Sequence, residues 1–172
     1  MKIILLGYMT SGKSLIGKKL AQTLDCEFID LDEWIEKKEK LKISEIFKKR
    51  GEIYFRKLEH ETLKTLVLDT KRNVISLGGG TPCYSNNLDL LINKSDLKTL
   101  YLKVSMTNLV DRLFKEKKNR PLVSHIKTKE ELTEFVGKHL FERIPFYTQA
   151  EFTIDADRTE NEIIESILFK LF

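Results

Sequence analysis

Gly7-Tyr8-Met9-Thr10-Ser11-Gly12-Lys13-Ser14 follows directly on the apolar run Ile3-Ile4-Leu5-Leu6 and opens onto Leu15-Ile16-Gly17-Lys18-Lys19-Leu20. The spacing G-x-x-x-x-G-K-S falls between a buried strand and a helix N-terminus, which is the context that gives it chemical meaning. Glycines let the backbone curl until several N–H groups point inward, and the helix dipole adds partial positive charge at the same place. Lys13 is placed to reach the β- and γ-phosphates, and the Ser14 hydroxyl to ligate Mg²⁺. A plain glycine turn before a helix would not require Lys-Ser straight after the second glycine. The stretch predicts a nucleoside triphosphate site.

Outward from this loop, short apolar runs alternate with amphipathic segments. Strands are expected at 2–6, 27–29, 73–77, 99–104 and 152–154, mostly apolar on both faces, as in a parallel sheet covered on both sides. Helical stripes are read at Leu15, Ile16, Leu20 and Leu24, at Phe55, Leu58, Thr62 and Leu66, and at Ile163, Ile164, Ile167, Leu168 and Leu171. Thr128 with Glu131 and Thr159 with Glu162 read as capping boxes. This alternation predicts an α/β domain with right-handed crossovers. At 172 residues it is one domain.

Two segments exceed what crossovers need. Residues 32–60 insert helical sequence between the second and third strands, and 114–128 is polar and basic without apolar periodicity. They are expected to form an acceptor pocket and a closing lid.

Four features refine the site. Asp30 and Asp32 stand at the end of the second strand, where open α/β sheets bind ligands, and their spacing would aim both to one side of an extended segment. One can serve Mg²⁺ and the other an acceptor hydroxyl, although Asp32 could also simply cap the next helix. Gly78-Gly79-Gly80 after a strand admits close approach of ligand to backbone. Arg56, Arg120 and Arg143 supply cations suited to bidentate capture of carboxylate or phosphate, where they are not merely solvated.

Taken in order, G-x-x-x-S-G-K-S, F-I-D-x-D, the G-E-x-x-F-R-x-x-E pattern at 51–59, S-L-G-G-G, R-P-L and R-x-P-x-Y resemble the shikimate kinases over nearly the whole chain. The resemblance implies a three-layer P-loop fold of the nucleoside monophosphate kinase group, with a five-stranded parallel sheet of order 2-3-1-4-5, a substrate-binding insertion and a mobile lid. It implies transfer of the γ-phosphoryl of ATP to the 3-hydroxyl of shikimate, the fifth step towards chorismate. By the same resemblance Thr10, Ser11, Gly12, Lys13, Ser14 and Leu15 hold ATP phosphates, and Arg112 stacks on adenine. Ser14 and Asp30 serve Mg²⁺, and Asp32 bonds the acceptor hydroxyl as the base. Arg56 and Arg143 grip the acceptor carboxylate beside Gly78, Gly79 and Gly80, and Arg120 swings in on the transferring group. The chain departs from the family pattern at Thr10, commonly glycine, at Leu15, commonly threonine, at Thr81-Pro82, and after the fifth strand, where Asp155-Ala156-Asp157-Arg158-Thr159 lacks the usual Asn-Pro.

Composition narrows the alternatives. Net charge is only +4 and the basic run 115–120 is broken by Glu116, which argues against a nucleic-acid stripe. No apolar run approaches the ~18 residues of a membrane span. Cys26 and Cys83 lack metal-ligand spacing, and His60, His125 and His139 lie far apart. The start runs straight into the phosphate loop, too short for a signal peptide, so a cytoplasmic protein is expected, and the family resemblance, with no obvious unpaired apolar face, implies a monomer. A gluconate kinase, or a nucleotide-binding regulator without catalysis, are the competing readings. The glycine turn and F-I-D-x-D oppose the first, and the presence of Asp32 and Arg120 the second.

Overall fold

The computed structural model describes residues 1–92, 94–120 and 122–172. Five strands, β1 (Lys2–Leu6), β2 (Glu27–Asp30), β3 (Asn73–Ser76), β4 (Leu97–Lys103) and β5 (Phe152–Asp155), form one sheet of order β2-β3-β1-β4-β5. Every pairing is parallel, with Ile4 opposite both Ile75 and Thr99. The expected order is therefore the observed one. All of β1 and β3 is buried, which explains why their sequences show no alternation. β4 starts earlier than expected, because Leu97 and Lys98 already pair with Lys2 and Ile3.

Among the described residues six α-helices connect and cover the strands: α1 (Lys13–Thr23), α2 (Leu31–Glu39), α3 (Ile43–Leu68), α4 (Met106–Glu116), α5 (Lys129–Tyr147) and α6 (Glu160–Leu171). Gly17 decides how closely α1 lies on the sheet. A Cβ there would stand 2.3 Å from Phe28 Cε2 and 3.1 Å from Leu5 Cδ1, so only glycine lets the helix settle against β1 and β2. Burial of Ile16, Leu20 and Ala21 then closes that face, each large side chain contributing about 1.5–3 kcal/mol. Leu15, expected in this stripe, is instead 55% exposed: it lies in the first turn, beside the phosphate loop. Both capping boxes form as expected, heading α5 and α6.

The insertion between β2 and β3 consists of α2 and α3, and Gly51, at φ 80° and ψ 170°, breaks α3 into two runs. The following run carries Phe55, Glu59, Thr62 and Leu66, all buried. The segment 114–128 corrects another expectation. Its first residues complete α4, and Val123 and Ile126 are buried, so it is anchored by apolar contacts that its composition conceals. Pro121 lies outside the described residues. Nor is the surface free of bare apolar groups: Ile53, Phe141, Phe169 and Phe172 are exposed. Among the described residues no helix is long and apolar enough to cross a membrane.

Candidate active site

A cavity of about 870 Å³ opens at the carboxyl ends of the strands, where open α/β sheets bind ligands. The phosphate loop forms its floor. Gly12 caps α1 in the left-handed region at φ 91°, and Gly7 must also be glycine: a Cβ there would lie 2.9 Å from both the Leu102 carbonyl and Ser11 Oγ. Thr10 sits at φ 61°, a strained position for a β-branched residue, and its hydroxyl is buried without a partner. Lys13 is buried, and its Nζ donates to the carbonyls of Gly7 (2.7 Å) and Tyr8 (2.9 Å) and more distantly to Ser11 Oγ. Burial lowers its pKa to about 8, against the opposing pull of Asp32 and Asp30, while Arg120 adds to the lowering.

The two aspartates divide differently from the expectation. Asp30 ends β2 and caps α2, its Oδ1 accepting from the backbone N–H groups of Asp32 and Glu33, while Oδ2 accepts from Ser14 Oγ at 2.7 Å. Asp32 is not the cap. It belongs to the first turn of α2, so the two carboxylates do not share one side of a strand. Asp32 instead turns towards the glycine run, and a Cβ on Gly78 would stand 3.0 Å from its Oδ1. Burial first, then the negative charges of Asp30 and Glu59, push its pKa up to about 6, with Lys13 opposing.

Asp32 thus takes up a proton on folding between its ordinary pKa and about 6. Its folded-state pKa is raised, so the stability it contributes is present at low pH and is lost as pH rises through about 6. A carboxyl-carbon NMR titration of the ligand-free protein should show a midpoint near 6 for Asp32. A midpoint in the ordinary aspartate range would remove this electrostatic picture.

Beyond Gly78 lie side chains of α3 and α5 and the rest of the glycine run. Glu59, almost wholly buried, accepts from Arg56 Nη1 at 2.8 Å and from Thr81 Oγ1 at 2.6 Å. The Arg56 guanidinium also lies 3.8 Å from the Tyr84 ring centroid, and its Nη2 would be 3.2 Å from a Cβ on Gly80. Gly79 accepts at its carbonyl from the Tyr147 hydroxyl at 2.5 Å. Gly78 and Gly80 therefore serve close approach: neither has positive φ. Arg143, on α5, donates to the His139 carbonyl at 3.3 Å, and His139 Nδ1 meets the Tyr8 hydroxyl at 2.8 Å. Burial raises the Cys83 pKa, with the positive charges of Arg143 and Arg56 opposing.

Thr10, Ser11, Gly12, Lys13, Ser14, Leu15, Asp30, Asp32, Gly78, Gly79, Arg112 and Arg120 all line the cavity, whereas Arg56, Gly80 and Arg143 stand outside its lining. Arg112 Nη1 donates to the Thr10 carbonyl at 3.2 Å. Sequence reasoning counted Glu59 in the 51–59 pattern but gave it no role, although a glutamate three residues beyond Arg56 on a helix is a recognisable pairing signal. It noted 155–159 only as a departure from the family pattern, whereas Ala156, Arg158 and Thr159, with Asn161, line the cavity.

A phosphate loop, a buried lysine, paired carboxylates and an arginine-lined mouth on a 2-3-1-4-5 sheet define a P-loop kinase of the nucleoside monophosphate kinase type. A family model described as Shikimate kinase matches residues 9–171, and the chain belongs to that family. The Flavobacterium johnsoniae shikimate kinase is 46% identical over 168 residues, covering 97% of this chain and 96% of the relative. That of Flavobacterium psychrophilum is 44% identical over 172 residues, with 99% of each covered. Among solved structures, the Bacteroides thetaiotaomicron shikimate kinase superposes with a TM-score of 0.87 at 38% identity, covering 99% of this chain and 96% of its own. The Acinetobacter baumannii shikimate kinase, solved in complex with shikimate, gives 0.83 at 31% identity, covering 99% and 92%. A Sinorhizobium meliloti gluconokinase shares the fold alone, at 17% identity.

Proposed function

We propose that the chain transfers the γ-phosphoryl group of ATP to the 3-hydroxyl of shikimate, giving shikimate 3-phosphate on the route to chorismate. The observation that carries this reading is Asp32, a carboxylate with a raised pKa lying against Gly78, between the phosphate loop and the Arg56–Glu59 pair. ATP binds along the loop from Thr10 to Leu15, with Lys13 exchanging its carbonyl partners for β- and γ-oxygens and Arg112 lying over adenine. The acceptor sits beyond Gly78 with its carboxylate between Arg56 and Arg143. Asp32 accepts the hydrogen bond of the attacking hydroxyl and takes its proton as the new P–O bond forms and ADP leaves. Arg120 steadies the charge on the transferring group. The family resemblance leads us to assign this activity to a cytoplasmic monomer.

Mg²⁺ fits the donors present. Ser14 Oγ and the Asp30 carboxylate are hard oxygen ligands 2.7 Å apart beside the phosphate loop, and Mg²⁺ commonly takes one or two carboxylates, water and substrate phosphates. Ser14 and Asp30 would hold the ion, Asp30 through water. When bound it neutralises phosphate charge and orients the β- and γ-oxygens.

The direct test is ATP-dependent phosphorylation with shikimate, quinate and gluconate offered separately. Shikimate should be the preferred acceptor; turnover of gluconate alone would overturn the reading. An analogue with the carboxylate reduced to an alcohol should lose at least about 1.5–3 kcal/mol of transition-state binding, one charge-assisted contact's worth. Full activity with that alcohol would remove the proposed clamp. Gly78→Ala drives a methyl group into Asp32 Oδ1 and Thr81 Oγ1, each 3.0 Å from the new Cβ. It should lower kcat about 100-fold with ATP affinity retained, because small misplacement at a reacting centre costs on that scale. Unchanged turnover would show that Asp32 is not held by this contact.

A further inference from the structure

We propose that Asp157 is a positioning residue for the nucleoside half of ATP, acting through the head of α4. The inference rests on ATP being the donor and concerns residues to which no role has been given above. Asp157 follows β5, in the connection whose neighbours Ala156, Arg158 and Thr159 form one wall of the cavity. Its Oδ2 accepts from the Ser105 backbone N–H at 2.8 Å and its Oδ1 from Asn108 Nδ2 at 2.7 Å. Ser105 is the N-cap of α4, and its own Oγ accepts from the Asn108 backbone N–H, so one carboxylate holds the cap and the first turn together.

Asn108 and Arg112 are four residues apart on α4 and share a helix face. Arg112, on the helix face gripped by Asp157, lines the same cavity as Ala156, Arg158 and Thr159. The far side of the connection is fixed as well. Ala156 N–H donates to the Lys103 carbonyl at 2.8 Å, and Asp155 accepts from the Asp157 N–H and from Arg158 Nε. With both ends held, the two bonds of Asp157 set the gap between Arg112 and the 156–159 wall. A planar base would enter that gap. The Arg112 contact with the Thr10 carbonyl joins α4 to the phosphate loop separately from this bridge. The brace should thus govern recognition of the nucleoside and leave triphosphate capture nearly untouched. The connection lacks a proline to stiffen it, and this side-chain bridge supplies the rigidity instead.

The two partners have complementary chemistry, which allows a swap. Asn108→Asp sets carboxylate against carboxylate and should weaken ATP binding about tenfold or more, measured by calorimetry on the full chain. Asp157→Ala, which removes the bridge without repulsion, should weaken ATP in the same direction. The double variant Asn108→Asp with Asp157→Asn restores a carboxylate–amide pair, and should return ATP affinity to within about twofold of the original protein. Inorganic tripolyphosphate, which has no base or ribose, should bind all four proteins equally. Equal weakening of tripolyphosphate and ATP, an unaffected single variant, or no rescue in the double variant would each overturn the brace. A starting protein that binds tripolyphosphate as tightly as ATP would instead remove the nucleoside site itself, and with it both the donor assignment and the brace.

Discussion

Arg120→Ala should lower kcat by about 10³- to 10⁵-fold, the range over which an arginine acting on a transferring phosphoryl group contributes, while the acceptor KM changes little. Phosphoryl transfer leaves a protein little covalent chemistry, so positioned positive charge carries much of the acceleration. Arg120 lines the cavity and lies near enough to Lys13 to help lower that lysine's pKa. It forms an exposed ion pair with Glu116 at 3.3 Å, of the kind worth about 0–1 kcal/mol, which opposes a swing onto the phosphates only weakly. Arg120→Lys should recover only part of the loss, because an ammonium lacks the planar fork. Hydrogen exchange should show 117–120 gaining protection in the ternary complex more than 123–126, where Val123 and Ile126 are already buried. A variant retaining normal kcat would remove Arg120 from the chemistry, and equal protection with and without ligands would mean that no lid closes.

Asp32→Asn should cost about 10²–10⁴ in kcat, the usual contribution of a general base, with ATP affinity nearly intact. Asp30→Asn provides the contrast. Asparagine caps helices as well as aspartate, so α2 should keep its start, while the carboxylate that accepts from Ser14 is lost. That variant should need more Mg²⁺ for half-maximal rate. Identical Mg²⁺ profiles in the two variants would show that the carboxylates cannot be divided into base and ion-shell member.

The sheet was legible because its strands are covered on both faces and read as unbroken apolar runs. The phosphate loop was legible because its geometry demands particular residues at particular steps, and Gly7 and Gly12 meet those demands in space. What escaped depended on partners distant in the chain. Leu15 carries an apolar side chain at a helical position, but the loop beside it opens to the cavity and not to the core. Val123 and Ile126 are too few to mark a period, yet the fold buries both. Glu59 looks like a surface charge until Arg56 and Thr81 are seen to satisfy it. Asp32 resembled a cap because it precedes a helical pattern, whereas the turn begins two residues earlier at Asp30 and leaves Asp32 available to the glycine run.

Lys13 gives nucleotide binding a proton stoichiometry. In the free protein its ammonium is buried on the Gly7 and Tyr8 carbonyls with a pKa of about 8, so near that pH it is half neutral. Phosphate oxygens favour the charged form, so the ligand must draw a proton from solution as it seats. At pH 8 about half a proton should be taken up per ATP by this group, dwindling towards zero at pH 6. Calorimetric enthalpies measured in buffers of different ionisation heat should therefore diverge at pH 8 and converge in acid. Above pH 8 the apparent affinity should fall with alkalinity, because each binding event must first recharge the lysine.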